Sequence, residues 1–446
     1  MIAGQREALD ECIAKLRSGR IVRRAFLQRS IELGLSAAAA DALLEACTAD
    51  NSTNTKKTVI IWLSEYDISN AYKQIVDKFN KTNKEIQVIW QNGPVSTDLV
   101  GIERSLLRAR STAFDVLSID ITSPAEFAAK GWITPITASQ WPASEQKRYL
   151  PGPIKGCTVN GRIWAAPFRT DVGLLYYRDD IISTPPRSWK ELVSAAEDNR
   201  QKSRYGYVWQ GAQYEGLVCD FNEVLNGYGG FILDPNDPGK VLVGSAEAVE
   251  ALTEMVGWVG TISPTAITSY TEELSRTAWE TGDAIFMRNW PYAYASGNRS
   301  ATSKIAGKFA IHPIPYGGHN TVGHSTIGGW QLAINAYVSP EKQHAAWEFI
   351  KYMLGPDAQK MGATVATWTV TLQSIYDDPE VLTKLALFKQ LKPILQTALP
   401  RPVSPKYSDI TTAIQLRIHQ ALTKKMSPRE ALTALSSDLR PLVQNK

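Results

Sequence analysis

Apolar positions along the chain switch repeatedly between a continuous or alternating pattern and a helical one. Thr58 to Leu63 is an unbroken apolar, β-branched run and reads as a buried strand. Ala71, Tyr72, Ile75, Val76 and Phe79 then recur at helical spacing, and Glu85 to Trp90 alternates as a second strand. Leu99, Leu106 and Leu107 fit a helix, Phe114 to Ile119 a third strand, and Pro124 to Lys130 a helix closed by Gly131. Strands alternating with helices predict a parallel α/β sheet, in which ligands lie beyond the carboxyl ends of the strands. Asp120, just past the third strand, stands at such a position. It either meets a ligand there or caps the following turn.

Further along, Pro185-Pro186 is a loop, Ser188 opens a helix, and Asn160-Gly161-Arg162 is a turn. Ser339 with Pro340 starts a helix whose buried face is Ala346, Phe349, Ile350 and Met353, and Gly355-Pro356 ends it. Beyond Ser408 the spacing of Ile414, Ile418 and Leu422 predicts a helical tail. The stretch Trp279 to Tyr292 opens like a helix, turns at Gly282, runs through a strand-like apolar core and stops at Asn289-Trp290-Pro291. Pro291 disfavours helix for Trp290, so the indole is presented from a loop. Trp, Tyr and Asn side by side suit a sugar, which needs a flat apolar surface and hydrogen-bonding groups at its edge; a packed aromatic corner is the bland alternative.

A chain of 446 residues exceeds one ordinary core, so two lobes are expected. The 44% hydrophobic and 21% charged residues fit a soluble globular protein. A net charge of +4 without a basic block argues against nucleic-acid binding, whereas 13 tryptophans are compatible with carbohydrate recognition. Cys12, Cys47, Cys157 and Cys219 form no C-x-x-C pair, and at most one bridge, Cys157 to Cys219, is available to the body. His312, His319 and His324 lie near glycines without an acid at ligand spacing, so no metal is expected, and no cofactor motif is present.

Arg23-Arg24-Ala25-Phe26-Leu27, ahead of an Ala/Leu-rich run, looks like a twin-arginine export signal. The run ends at Leu43-Leu44-Glu45-Ala46-Cys47, which resembles a lipobox and makes Cys47 the candidate lipidation site, although Glu32, Asp41 and Glu45 depart from an apolar signal core. A soluble amphipathic extension is the alternative. Residues 1–47 are thus assigned to the export signal and 48–57 to a flexible tether.

Several motifs resemble extracellular solute-binding protein family 1 of ABC importers, and most closely its trehalose- and maltose-binding members. They are the Trp279 to Tyr292 stretch, Phe114 to Trp132, Asp171-Val172-Gly173-Leu174-Leu175-Tyr176-Tyr177-Arg178, Tyr207 to Leu217, Gly328-Gly329-Trp330 and Pro400-Arg401-Pro402. The resemblance runs from Thr58 to Leu442. It implies a two-lobed α/β periplasmic-binding-protein fold (type II) with three interlobe crossings and a central ligand cleft. Residues 58–172 and 314–367 form its first lobe, and 173–313 and 368–446 its second.

By the same resemblance Trp290 and Trp330 are sugar platforms, Gly329 lets the backbone approach the ligand, and Asp120, Asp171 and Arg401 hold hydroxyls. Tyr214 and Glu215 either face the cleft or fix the loop before the next helix. Arg169 stands where relatives commonly carry an aromatic residue, and its guanidinium can bond hydroxyls or a carboxylate; Thr369-Val370-Thr371-Leu372 replaces a common Leu-Pro-Thr-Arg. Glu65 and Asp67 are weaker candidates. The implied function is binding without chemistry: a monomer that takes a disaccharide or small oligosaccharide and delivers it to transmembrane permease subunits, held to the membrane by a lipid anchor alone. A receptor for a glycerol phosphodiester is a rival, because a guanidinium pairs well with phosphate. An enzyme using Asp120 and Asp171 as a carboxylate pair is a weaker one.

Overall fold

The computed structural model describes residues 57–94 and 96–444, together with 8, 11, 12, 15, 16, 20–32 and 40. Cys47 and residues 48–56 lie outside the described residues. The strands in chain order are β1 (Thr58–Ser64), β2 (Ile86–Asn92), β3 (Val116–Asp120), β4 (Thr158–Val159), β5 (Arg162–Ile163), β6 (Ala166–Pro167) and β7 (Asp171–Val172). After them come β8 (Leu174–Tyr177), β9 (Tyr205–Val208), β10 (Ala284–Asn289), β11 (Ala310–His312), β12 (Ile327–Gly328) and β13 (Trp330–Ile334). The chain divides into two compact units. The first comprises Met1–Arg169, Trp330–Ala366 and Val370–Asp377, and the second Thr170–Gly329, Thr367–Thr369 and Asp378–Lys446.

The first unit is built on a five-stranded sheet in the order β2-β1-β3-β13-β6. β1 runs parallel to β2 and β3, while β13 is antiparallel to β3 and β6. The run that spells Thr58–Ser64 is buried from Ile60 onward, as a central strand covered on both faces must be. The helix Ala71–Thr82 buries Ala71, Tyr72, Ile75, Val76 and Phe79, the face its spacing predicts. Ser339 caps the helix Pro340–Leu354 by accepting from the Lys342 backbone N–H. Gly131 ends the helix region after Pro124–Ala129 at φ 64°, a left-handed conformation that costs glycine little. Arg23 and Arg24 are exposed at the start of the helix Arg23–Glu32. Phe26, Cys12 and Ala40 are buried in the apolar cluster that also holds Ile61, Leu63, Leu117 and Trp132.

The second unit carries a four-stranded sheet, β11-β8-β10-β9, in which β10 is antiparallel to β8 and parallel to β9. All six residues of β10 are buried, including Arg288 and Asn289. The helix Glu215–Gly227 is buried on every side after its first residue, packed against the helices Ala246–Trp258 and Tyr407–Leu422. Ser188 and Glu191 form a reciprocal capping box at the start of the helix Trp189–Asp198. A short two-stranded pair, β12 with β7, sets Gly328 opposite Asp171. Cys157 and Cys219 are free, buried and in different units.

Candidate functional site

In the first unit the candidates gather at one edge of the sheet. β1 and β3 run parallel, so Glu65, next after β1, and Asp120, the last residue of β3, emerge at the same carboxyl edge. Trp330 begins β13 directly across from Asp120, and its carbonyl accepts from the Arg169 N–H at 3.1 Å. The Arg169 guanidinium lies 3.0 Å from the Glu65 carboxylate, which also accepts from the Tyr72 hydroxyl. Burial pushes the Glu65 carboxyl up, against the pull of Arg169. Asp120 Oδ1 accepts from the Thr122 N–H at 2.9 Å and its hydroxyl at 2.6 Å, so this carboxylate shapes its own turn. Asp67 is engaged with Ser69 and the Tyr72 N–H, at the start of the helix Ala71–Thr82.

One residue outside the motifs belongs to this group. Glu103 is fully buried on the helix Ser96–Arg108, and neither carboxyl oxygen has a hydrogen-bond partner. Burial, then the charges of Glu65 and Asp120, push its carboxyl far above the usual carboxylate range. Both influences favour its protonated form. Its place between Leu99 and Leu107 at four-residue steps is the available signal, a carboxyl in an apolar helical face.

In the second unit β10 delivers Trp290 at its end, half-buried. The indole N–H donates to Glu272 Oε1 at 3.3 Å, and Glu272 Oε2 accepts from the Tyr214 hydroxyl at 2.5 Å. Tyr214 is thus tied to Trp290 through one carboxylate. Gly328 has the same neighbourhood: a Cβ there would lie 3.0 Å from Trp290 Cζ3 and 3.5 Å from the Asp171 Cβ. Gly329 adopts φ 127°, which only glycine takes readily. Glu215 and Arg401 form a second group, with the guanidinium 2.6 Å from Glu215 Oε1 and the Tyr407 and Thr411 hydroxyls donating to the same carboxylate. Arg401 is 4% exposed, so its pairing with Glu215 is largely dry.

Beneath Trp290 lies Arg288, to which no motif assigns a role, with its guanidinium carbon 3.9 Å from the indole centroid. It pairs with Glu223 at 2.8 and 2.6 Å and donates to Gln210 Oε1 at 3.1 Å. Burial works against its charge, but Glu223 and Asp220 outweigh burial and hold it ionised. An arginine directly after the apolar run Ala284 to Met287 of the same buried strand is the signal, since a charge there requires a buried partner.

The arrangement in both units is of indoles, carboxylates and guanidinium groups. Among the described residues, no cluster of three or more His, Cys, Asp or Glu side chains suits a metal ion. Residues 64–360 match the family model of the bacterial extracellular solute-binding protein. The chain belongs to that family. Its fold is that of the two-lobed, maltose-binding type of periplasmic binding protein, and the family consists of solute-binding proteins, not enzymes. This solute-binding protein is 35% identical to a probable ABC transporter-binding protein of Deinococcus radiodurans over 378 residues, covering 81% of this chain and 87% of that one. It is 36% identical to the maltose-bound MalE3 of T. maritima, with a TM-score of 0.82 over 86% of this chain and all of that one. The maltodextrin-binding protein MdxE of Bacillus subtilis is 21% identical over 68% of this chain and 72% of its own. Among the described residues, no helix is long and apolar enough to cross a membrane.

Proposed function

We propose that this chain is the sugar-binding component of an ABC importer, taking maltose, trehalose or a short oligosaccharide of glucose and presenting it to the permease. The observation that carries the reading is the Trp330–Asp120 pair: an indole opposite a carboxylate across two hydrogen-bonded strands. A pyranose has an apolar face that stacks on an aromatic ring and an equatorial rim of hydroxyls that a carboxylate accepts from. Trp290 with Asp171 repeats the combination in the second unit, since both border Gly328. The likeness to the maltose-bound MalE3 supports the same ligand class. A phosphodiester is less well served, because its anion competes with the buried Glu65 for the Arg169 guanidinium.

Export by the twin-arginine route, with Cys47 lipidated after cleavage, completes the proposal. Mass spectrometry of the mature amino terminus tests it, and an unprocessed Met1 overturns it. Titration calorimetry of the full chain against maltose, trehalose, maltotriose and glycerol phosphocholine tests the ligand. The expected result is micromolar or tighter binding of a glucoside, weakened at least about 100-fold in Trp330→Ala, as for loss of a central aromatic anchor. Binding of glycerol phosphocholine alone would replace the sugar reading.

A further inference from the structure

The Trp290 ring is confined on three sides by its own unit. Its N–H edge faces Glu272 at 3.3 Å, its benzo edge abuts Gly328, where a Cβ would fall 3.0 and 3.1 Å from Cζ3 and Cη2, and one face rests on the Arg288 guanidinium at 3.9 Å. Trp290 as a whole remains partly exposed. Much of the surrounding sequence serves the guanidinium. Glu223 takes two of its N–H groups, Gln210 accepts a third and returns a bond from its own amide to the Arg288 carbonyl at 3.0 Å. Glu223 is itself fixed by the Thr326 N–H at 3.0 Å. Gly173 leaves the space: a Cβ there would stand 1.8 Å from Glu223 Oε1 and 2.6 Å from an Arg288 terminal nitrogen.

A fully buried guanidinium is costly to desolvate, and an apolar side chain of similar volume fills such a place at less cost. What the apolar chain lacks is a flat cation to stack on an indole. We propose that Arg288 is a positioning residue, clamping Trp290 from behind so that a single face is offered to one sugar ring, with Glu223, Gln210 and Gly173 holding the clamp. This role rests on Trp290 being a platform, so two separate readouts are needed.

The indole N–H resonance of Trp290, assigned by its loss in Trp290→Phe, reports the clamp without any ligand. Maltose titration reports the platform. In the paired variant Arg288→Met with Glu223→Met, which removes the guanidinium together with its nearest carboxylate and leaves Asp220 in place, we expect the resonance to move or broaden and the maltose Kd to rise roughly ten-fold. Arg288→Lys, which keeps a cation near the ring, is expected to recover part of the affinity. A purely structural arginine would leave resonance and Kd of the folded paired variant at their wild-type values, and that result overturns the proposal. If Trp290→Ala binds maltose unchanged, the platform role fails, whatever the resonance shows. Should the paired variant fail to fold, Gln210→Leu, which frees one guanidinium arm, replaces it: a moved resonance with weaker maltose binding supports the clamp, and wild-type values of both overturn it.

Discussion

At the scale of single residues, the groups that pattern reasoning reaches are those whose chemistry shows on the surface of a motif: Trp290 before a proline, Asp120 after a strand, Trp330 after two glycines. Arg288 and Glu103 stay hidden because their partners lie far off in sequence. Arg288 meets Glu223 across 65 positions, and Glu103 feels Glu65 and Asp120. Glu103 supports a prediction with a definite sign. Its folded pKa is raised, so the folded protein keeps a proton that the unfolded chain releases in the ordinary carboxyl range. Its contribution to stability is fully present below that range and is lost as the pH climbs toward the raised value. Glu103→Met is therefore expected to be more stable than wild type by about 1–3 kcal/mol at pH 8, with the gap narrowing toward pH 4. Denaturant midpoints at the two pH values check this, and a gap that widens on acidification sinks it.

Elements are easier to read than their junctions. Thr58 to Leu63 and Phe114 to Ile119 are strands within a residue or two of their predicted ends, because a strand buried on both faces has no polar position to hide its pattern. The segment from Asp171 to Arg178 illustrates the harder case. It contains two strands, β7 and β8, parted by Gly173 alone, and nothing local says that the glycine faces the Glu223–Arg288 pair. Gly173→Ala is expected to cost about 1–3 kcal/mol by forcing that pair apart, and to shift the Trp290 indole resonance with it. An alanine variant with unchanged unfolding and spectrum would show that the close approach is not needed. Ser188→Ala is the contrasting case. It removes a capping box on an exposed helix start, with an expected loss of about 1 kcal/mol and no effect on the resonance.

For the whole molecule, each unit has its own sheet and its own set of candidate groups, so solute binding is best tested as a linkage that both sets contribute to. A ligand that binds only the folded chain raises stability by RT ln(1 + [L]/Kd), about 2.7 kcal/mol at one hundred times Kd. For units of this size that is a rise of roughly 5–10 °C in the unfolding midpoint. Trp330→Ala in the first unit and Asp171→Ala in the second are each expected to lose most of the rise produced by maltose. Their unliganded midpoints are expected to stay close to wild type for Asp171→Ala and to fall by a few degrees for Trp330→Ala, which also removes apolar area that is 9% exposed in the fold. Scanning calorimetry with and without sugar separates the two effects, because a structural loss lowers both midpoints equally while a lost contact closes the distance between them. If either variant keeps the full rise, its unit takes no part in holding the sugar through that residue.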